Sequence, residues 1–348
     1  MPPLISQDDY DTLAPKNIDD SEIAENSHMS TPAKPSTTFT QTSLQLILLR
    51  SLPKRLAIAR LVNHFRSKPT YEDVLRLSSE VSELLRDATK MIQTFQSRNT
   101  SLKPSVCHNN LIQLSIRRFL QSLHLPFALK ARKDPHFYFS RKVCLEQALV
   151  VSMPQPDEDF KQLICLGGGM FREIMTLGAF GLCLELITQL EEDSVNLSVD
   201  RNRAQRQPYR EAIQAVINIA EERLHLGETN VKGYLFLSMA LGQIDAMDNG
   251  AVIEEGIYKA AKQSATKGYE ILISRLAWRI PEPDAGHNAP GSQGGGLLPN
   301  GAANGMMEDQ PAVNNVDFNF EELGSWLCPA TDEIPWASLE NFPADFQI

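Results

Sequence analysis

From residue 70 to residue 96 the apolar positions of this chain advance in alternating steps of three and four. Val74, Leu77, Val81, Leu84, Ala88, Met91 and Phe95 fall on one stripe over about six helical turns. Thr70 stands where an N-cap is wanted, and Glu72 and Asp73 face the positive end of the helix dipole. The spacing predicts an amphipathic helix packed into the protein's own core. An exposed coiled coil is the weaker reading, because about three heptads are few and charges such as Arg76 and Arg86 do not flank the stripe as matched pairs.

The same periodicity, less regular, recurs along the chain. Leu44, Ile47, Leu48, Leu56 and Leu61 predict one apolar helix interrupted near Pro53. Residues 105–125 and 134–152 predict a helical pair, with Pro126 ending the first and Asp134-Pro135 opening the second. Residues 157–190 read as one helix or two, broken around Gly167-Gly168-Gly169. After a polar loop at 191–207, Ile213, Val216, Ile217, Ala220 and Leu224 mark a helix closed by Gly227. Residues 230–247 and 251–277 add two more. The last carries Ile257, Ala261, Ser264, Gly268 and Ile271 on one face, where the small residues would let a neighbour come close. The expected fold class is all-α, an irregular array of roughly seven to nine helices with no fixed-period repeat and a disordered C-terminal tail.

Polar composition divides the chain further. Residues 1–43 are rich in Pro, Ser, Thr, Asp and Asn and read as an extended segment that would gain order by lying on the helical body. The helical domain covers 44–278, a Pro-, Gly- and Asn-rich linker 279–315, and a tail 316–348. The whole has 348 residues, 42% of them hydrophobic and only 7% aromatic, so aliphatic side chains fill most of the core. The N-terminus lacks a signal-peptide pattern, and no apolar run approaches the roughly 18 residues of a membrane span. A cytosolic or nuclear chain is expected. Cys107, Cys144, Cys165, Cys183 and Cys328 form no Cys-x-x-Cys pair, which argues against a zinc finger or a disulfide framework and for small, buried, reduced residues.

Charge changes the picture most. All 33 Lys and Arg residues lie at or before Arg279, with 32 of the 43 acidic ones, so the body is close to neutral and the net −10 belongs to the residues after Arg279. A neutral body is a poor match to DNA phosphates. The tail has no basic residue, yet six of its 33 residues are aromatic. Phe318, Phe320, Trp326, Leu327, Trp336 and Phe342 are its candidate partner-binding residues, kept solvated by mutually repelling acids and available to insert into a partner's groove. The alternative is a terminal strip that docks back onto its own helical body.

Catalytic signals are weak. The glycine triplet follows no strand and is followed by no Gly-Lys-Ser/Thr, so a bend between helices is the better reading. The histidines form no HExxH or His-x-x-x-His pair, and His124 reads as a hydrogen-bonding residue at a helix end. No Ser lies in a Gly-x-Ser-x-Gly elbow. Ser140-Arg141-Lys142 reads as the exposed side of the helix that buries Cys144 and Ala148, and Glu191-Glu192 and Glu221-Glu222 as solvated faces.

Leu123-His124-Leu125-Pro126-Phe127, Asp134-Pro135 and Tyr138-Phe139-Ser140-Arg141-Lys142-Val143-Cys144 together resemble a stretch of the regulatory domain of fungal binuclear zinc-cluster transcription factors. The opening Pro2-Pro3-Leu4-Ile5, with Asp8-Asp9-Tyr10-Asp11 and Asn17-Ile18-Asp19-Asp20, and the later Gly227-Glu228-Thr229-Asn230-Val231-Lys232-Gly233-Tyr234, are similar to parts of the same domain. The resemblance covers about residues 1–275. It implies a helical regulatory domain, a nuclear location, control of transcription by the polymerase II machinery, coactivators or other regulators as partners, and no enzymatic residue. The family's six-cysteine zinc cluster is missing from this sequence, which starts inside the regulatory domain, so zinc would belong only to such a cluster. No cofactor, no direct DNA contact and no membrane partner are expected of this chain. A fragment, a truncated gene model and a divergent member acting through partners are all compatible with this pattern. A non-catalytic helical scaffold is the alternative function, and an enzyme a more distant one.

Overall fold

The computed structural model describes residues 9–23, 32–63, 69–98, 102–193 and 199–277. Among them are nine α-helices and no strand: α1 Ser43–Val62, α2 Tyr71–Ser97, α3 Val106–Lys130, α4 Tyr138–Ser152, α5 Glu158–Leu166, α6 Gly169–Asp193, α7 Val199–Leu226, α8 Lys232–Asp248 and α9 Ile253–Ala277. The all-helical reading is therefore borne out. The expected linker and disordered tail fall outside the described residues. The last five residues of α9 cluster separately from the body that ends at Leu272.

The stripe that announced α2 is buried, with one adjustment. Val74, Leu77, Val81, Ala88 and Phe95 are in the core as expected, but Leu85 and Ile92 are buried where Leu84 and Met91 were expected. Both pairs sit near the stripe's edge, and tertiary contact with α1 and α3 selects the inner member. Thr70 caps the helix, its Oγ1 accepting from the Asp73 amide at 3.2 Å.

Among the described residues, two helix-interior prolines stand where the pattern predicted an interruption or an end, and a third directly follows the expected loop 191–207. Pro53 lies within α1, Pro126 within α3 and Pro208 within α7. A proline removes one ladder hydrogen bond and bends the helix, and packing must offset that cost. In the turn before Pro53, the Leu48 carbonyl accepts from Ser51 Oγ and from Arg55 Nη2, each at 2.8 Å. Beyond Pro126, Phe127 stacks with Tyr71 and Phe137 at centroid distances of 5.0 and 5.3 Å, which holds the last turn of α3 in the core. Beside Pro208, Arg203 and Arg206 reach Asp248 at the end of α8. Most of the expected loop 191–207 is thus helical, because α8 supplies acceptors that no local signal reveals.

The glycine triplet is a bend. Gly168 has φ +76° and separates α5 from α6. α6 is buried along much of its length through Phe171, Ile174, Leu182, Leu186 and others, and packs against α4, α7 and α8. On α9, Ala261, Ser264, Gly268 and Ile271 are buried as expected, but the close approach lies elsewhere. A Cβ on Gly242 of α8 would sit 2.6 Å from Ala260 Cβ and 2.8 Å from the Gly256 carbonyl oxygen, so the α8–α9 crossing is glycine against glycine.

The extended N-terminal segment is ordered largely by its own polar knot. Asn17 donates to the carbonyls of Pro35 and Thr38 and accepts from Thr40 Oγ1, while Lys34 pairs with Asp19 and Glu22. Phe39 anchors it to the body, in ring contact with Phe95 and His108.

Candidate functional site

The six aromatic and leucine positions singled out in the tail, Phe318, Phe320, Trp326, Leu327, Trp336 and Phe342, lie outside the described residues. What the structure displays is the interior of the helical body, where the family-like stretch 123–144 forms a polar seam between α3, α4 and α6.

His124 is wholly buried in the interior of α3, not at its end, because the helix continues past Pro126. Its Nδ1 lies 2.9 Å from Ser140 Oγ on α4, and Ser140 in turn donates to the Tyr71 hydroxyl at 3.2 Å. That direction makes Nδ1 the protonated nitrogen and leaves Nε2 as a bare acceptor, buried without a partner. Burial pushes the His124 pKa down to about 4, so the ring is neutral at physiological pH. A Ser–His contact can serve nucleophilic chemistry when the site is open and a third group orients the base. Here both residues have no exposed surface, and Ser140 spends its proton on Tyr71. The arrangement is a structural tie between three helices.

Gln121 extends the seam. It is fully buried, donates to the Leu177 carbonyl of α6 at 2.8 Å, and its own carbonyl lies 3.8 Å from Cys144 Sγ. Burial raises the thiol pKa of Cys144 well above its ordinary value and that of Cys183 to about 12, which keeps both protonated. Buried, free Cys144, Cys165 and Cys183 agree with the reading of small core residues.

Arg141 corrects the expectation of an exposed basic cluster. Its guanidinium faces α6, with Nε 2.8 Å from Glu185 and Nη1 2.6 Å from Glu192. Burial alone would lower its pKa, and the two carboxylates more than offset that. Of the paired carboxylates read as solvated, Glu191 and Glu192 are exposed as expected and Glu221 and Glu222 half-buried; Glu191 pairs with Arg132, Glu221 with Lys267 and Glu222 with Lys161. Further along, Arg206, 1% exposed, sits between Asp193 and Asp248, while Arg223 donates to the carbonyls of Ile164 and Gly168. Sequence reasoning missed these inter-helix ties. The available signal was the placement of Gln121, Gln147, Arg206 and Arg223 on otherwise apolar helix faces.

One cleft opens nearby, about 200 Å³ in volume, between α3, the end of α4 and α5. Asn109, Asn110 and Gln113 form its amide wall, and Val150, Met153 and Phe160 its apolar wall; no charged side chain lines it. Among the described residues no group of three or more His, Cys, Asp or Glu could hold a metal ion. No helix among them is long and apolar enough to cross a membrane.

Comparison with known proteins adds what the geometry leaves open. The chain is similar to the transcription factor opdR of Penicillium oxalicum, 32% identical over 308 residues that make up 81% of this chain. It is also similar to the transcription factor lepE of Aspergillus flavus, 32% identical over 292 residues and 79% of this chain. A third relative, the transcription factor asR3 of Sarocladium schorii, is 30% identical over 316 residues and 81% of this chain. The matched region spans 39%, 34% and 37% of these relatives' own lengths, respectively. No family model matches the chain, and no solved structure does.

Proposed function

The chain belongs with these fungal transcription factors, and from that premise we propose that it is the regulatory and recruiting portion of a zinc-cluster-type regulator of RNA polymerase II transcription, working in the nucleus. The observation that carries the reading is the similarity to named transcription factors over about four-fifths of the chain. The charge split refines it: a body of nearly balanced charge next to an acidic, aromatic, base-free tail.

In this reading the helical domain at 44–278 receives a partner or signal, the segment at 279–315 is a spacer, and residues 316–348 recruit coactivator. Phe318, Phe320, Trp326, Leu327, Trp336 and Phe342 insert into the coactivator's groove while the acids keep the segment soluble until it binds. The domain itself makes no DNA contact, holds no cofactor and catalyses nothing. A near-neutral body supports the first of these, since phosphate binding draws on clustered Lys and Arg. The dry Ser–His contact supports the last.

The test is a fusion of residues 316–348 to an unrelated DNA-binding domain upstream of a reporter. Reporter output should rise about tenfold or more, equivalent to roughly 1.4 kcal/mol of recruitment. Replacing Trp326, Trp336 and Phe342 together by Ala should return it to background. An inert intact tail refutes the recruiting role. Stable cytosolic partners with no promoter enrichment would favour the non-catalytic scaffold instead.

A further inference from the structure

The arginines wholly or partly drawn into this body share one habit, which two half-buried ones break. Arg141, Arg206 and Arg223 all face carboxylates or carbonyls of another helix. Arg117 donates to Gln113 and Gln147 at 2.8 and 2.7 Å and lies 3.7 Å from Glu146. Its neighbour Arg118 has no such set. Its Nε is buried without an acceptor, and among the described residues it makes no ion pair or hydrogen bond with its side chain. The Glu173 carboxylate acts on it only from beyond ion-pair distance.

A second cation shares the spot. The Arg118 guanidinium lies 4.6 Å from the centre of the Phe119 ring, and that of Arg55, reaching over from α1, lies 5.7 Å from the same centre. Arg55 spends Nε on Ser51 Oγ and Nη2 on the Leu48 carbonyl, both neutral acceptors. Burial first, and then the proximity of Arg118, hold its pKa below the ordinary arginine range. Burial likewise lowers that of Arg118, despite Glu173. Attraction to an aromatic ring is worth about 0.5–2 kcal/mol per cation, less than the cost of withdrawing two like charges from water with no carboxylate in ion-pair contact. A buried donor without an acceptor in a folded protein calls for an ion or a water.

We propose that Arg55 and Arg118, set about Phe119 between α1 and α3, form a binding site for an oxyanion, a carboxylate or phosphate carried by a small ligand. The guanidinium fork suits both groups, presenting paired N–H donors to two oxygens. Both side chains are partly exposed, so the anion reaches them from solvent. Its charge would offset their mutual repulsion and supply the acceptor that Arg118 Nε lacks. Bound there, it would tie α1 to α3 and stabilise the first three helices. The site stands on this local geometry and does not depend on the recruiting role of the tail.

The experiment is thermal unfolding of the full chain at constant ionic strength, with chloride exchanged for sodium benzoate or for inorganic phosphate, and with neutral benzamide as control. At several times the dissociation constant the effective anion should raise the midpoint by about 3–5 °C, and benzamide should not. Arg118→Met should abolish the shift and, having lost an uncompensated charge, should melt no lower than wild type in chloride. Arg60→Met, at an exposed site on α1, should keep the full shift. If Arg118→Met fails to fold, Arg118→Lys keeps the charge but loses the fork and should reduce the shift at least about threefold. A shift with benzoate alone identifies a carboxylate ligand, and one with phosphate alone a phosphate. No shift with either anion, or an equal shift in the Arg118 variants, overturns the proposal as an adventitious ion effect.

Discussion

Helices α1 to α3 bury Ile58, Val81, Ile112, Leu120 and Phe95 against one another in a single apolar cluster, whereas α4, α6, α7 and α8 are tied by charged side chains reaching from helix to helix. In the first region almost any well-shaped apolar side chain would serve, because burial of apolar area is non-directional. In the second each guanidinium needs a particular carboxylate at a particular place. Periodicity therefore specifies most of the first region, whereas the second adds to its own apolar core a set of contacts specified by partner identity. A buried ion pair adds little net stability over an apolar substitute, but removing one partner leaves an uncompensated charge. The two halves should answer differently to truncation, salt and pH.

The sharpest way to break the comparison is Arg206→Ala. Asp193 would lose this buried partner and Asp248 would keep only the more exposed Arg203 and Arg210, so the change should cost about 3–5 kcal/mol, measurable by urea unfolding. The apolar double replacement Arg141→Met with Glu185→Leu should by contrast be close to neutral. If the double replacement is as costly as Arg206→Ala, the second region is held by its charges after all. In the first region, Ile112→Ala should cost about 3 kcal/mol, with the same difference from wild type at low and high salt.

The pH response should separate the halves next. His124 is neutral in the fold with a pKa of about 4, against 6.5 when exposed. The unfolded chain therefore binds the extra proton as pH falls through 6.5. The stability tied to neutral His124 is complete above that pH and is lost down to about 4, up to about 3 kcal/mol. His124→Gln, which can still donate to Ser140, should flatten the stability curve between pH 6.5 and about 4.5. Below that, Asp248 and Glu228, whose pKa values are lowered from the ordinary range, also lose stabilising charge, so the comparison belongs above it. An unchanged slope in the variant would mean that His124 is not the titrating group. The smallest effect belongs to the α2 cap: Thr70→Ala should cost about 1 kcal/mol without altering the slope through the histidine range, since the Asp73 carboxyl that Thr70 holds below its ordinary range titrates only in acid.

Along the chain, the apolar half was largely legible. The α2 stripe, the Thr70 cap, the break at Gly168 and the spans of α8 and α9 follow from local pattern, and each is present. The misreadings share one cause. Pro53 looked like an interruption and Pro126 like a helix end because their local cost is real, and long-range packing offsets it. Arg141 looked solvated because charge usually is, and only the crossing of α4 over α6 brings it to Glu185 and Glu192. The tail was legible as composition alone.

The sequence by itself determined the helical class, the order of the helices, and the separation of a nearly neutral body from an acidic, aromatic tail. These depend on periodicity and composition, which act over a few residues. Only the tertiary structure decided which polar groups are engaged. His124 with Ser140 and Tyr71, Arg206 between two aspartates, and Arg118 without an acceptor all depend on atoms 13 to 69 residues apart in the chain being brought within hydrogen-bond reach, or on their failing to arrive. Directional interactions of that range leave no periodic trace, because their partners are chosen by how the helices cross.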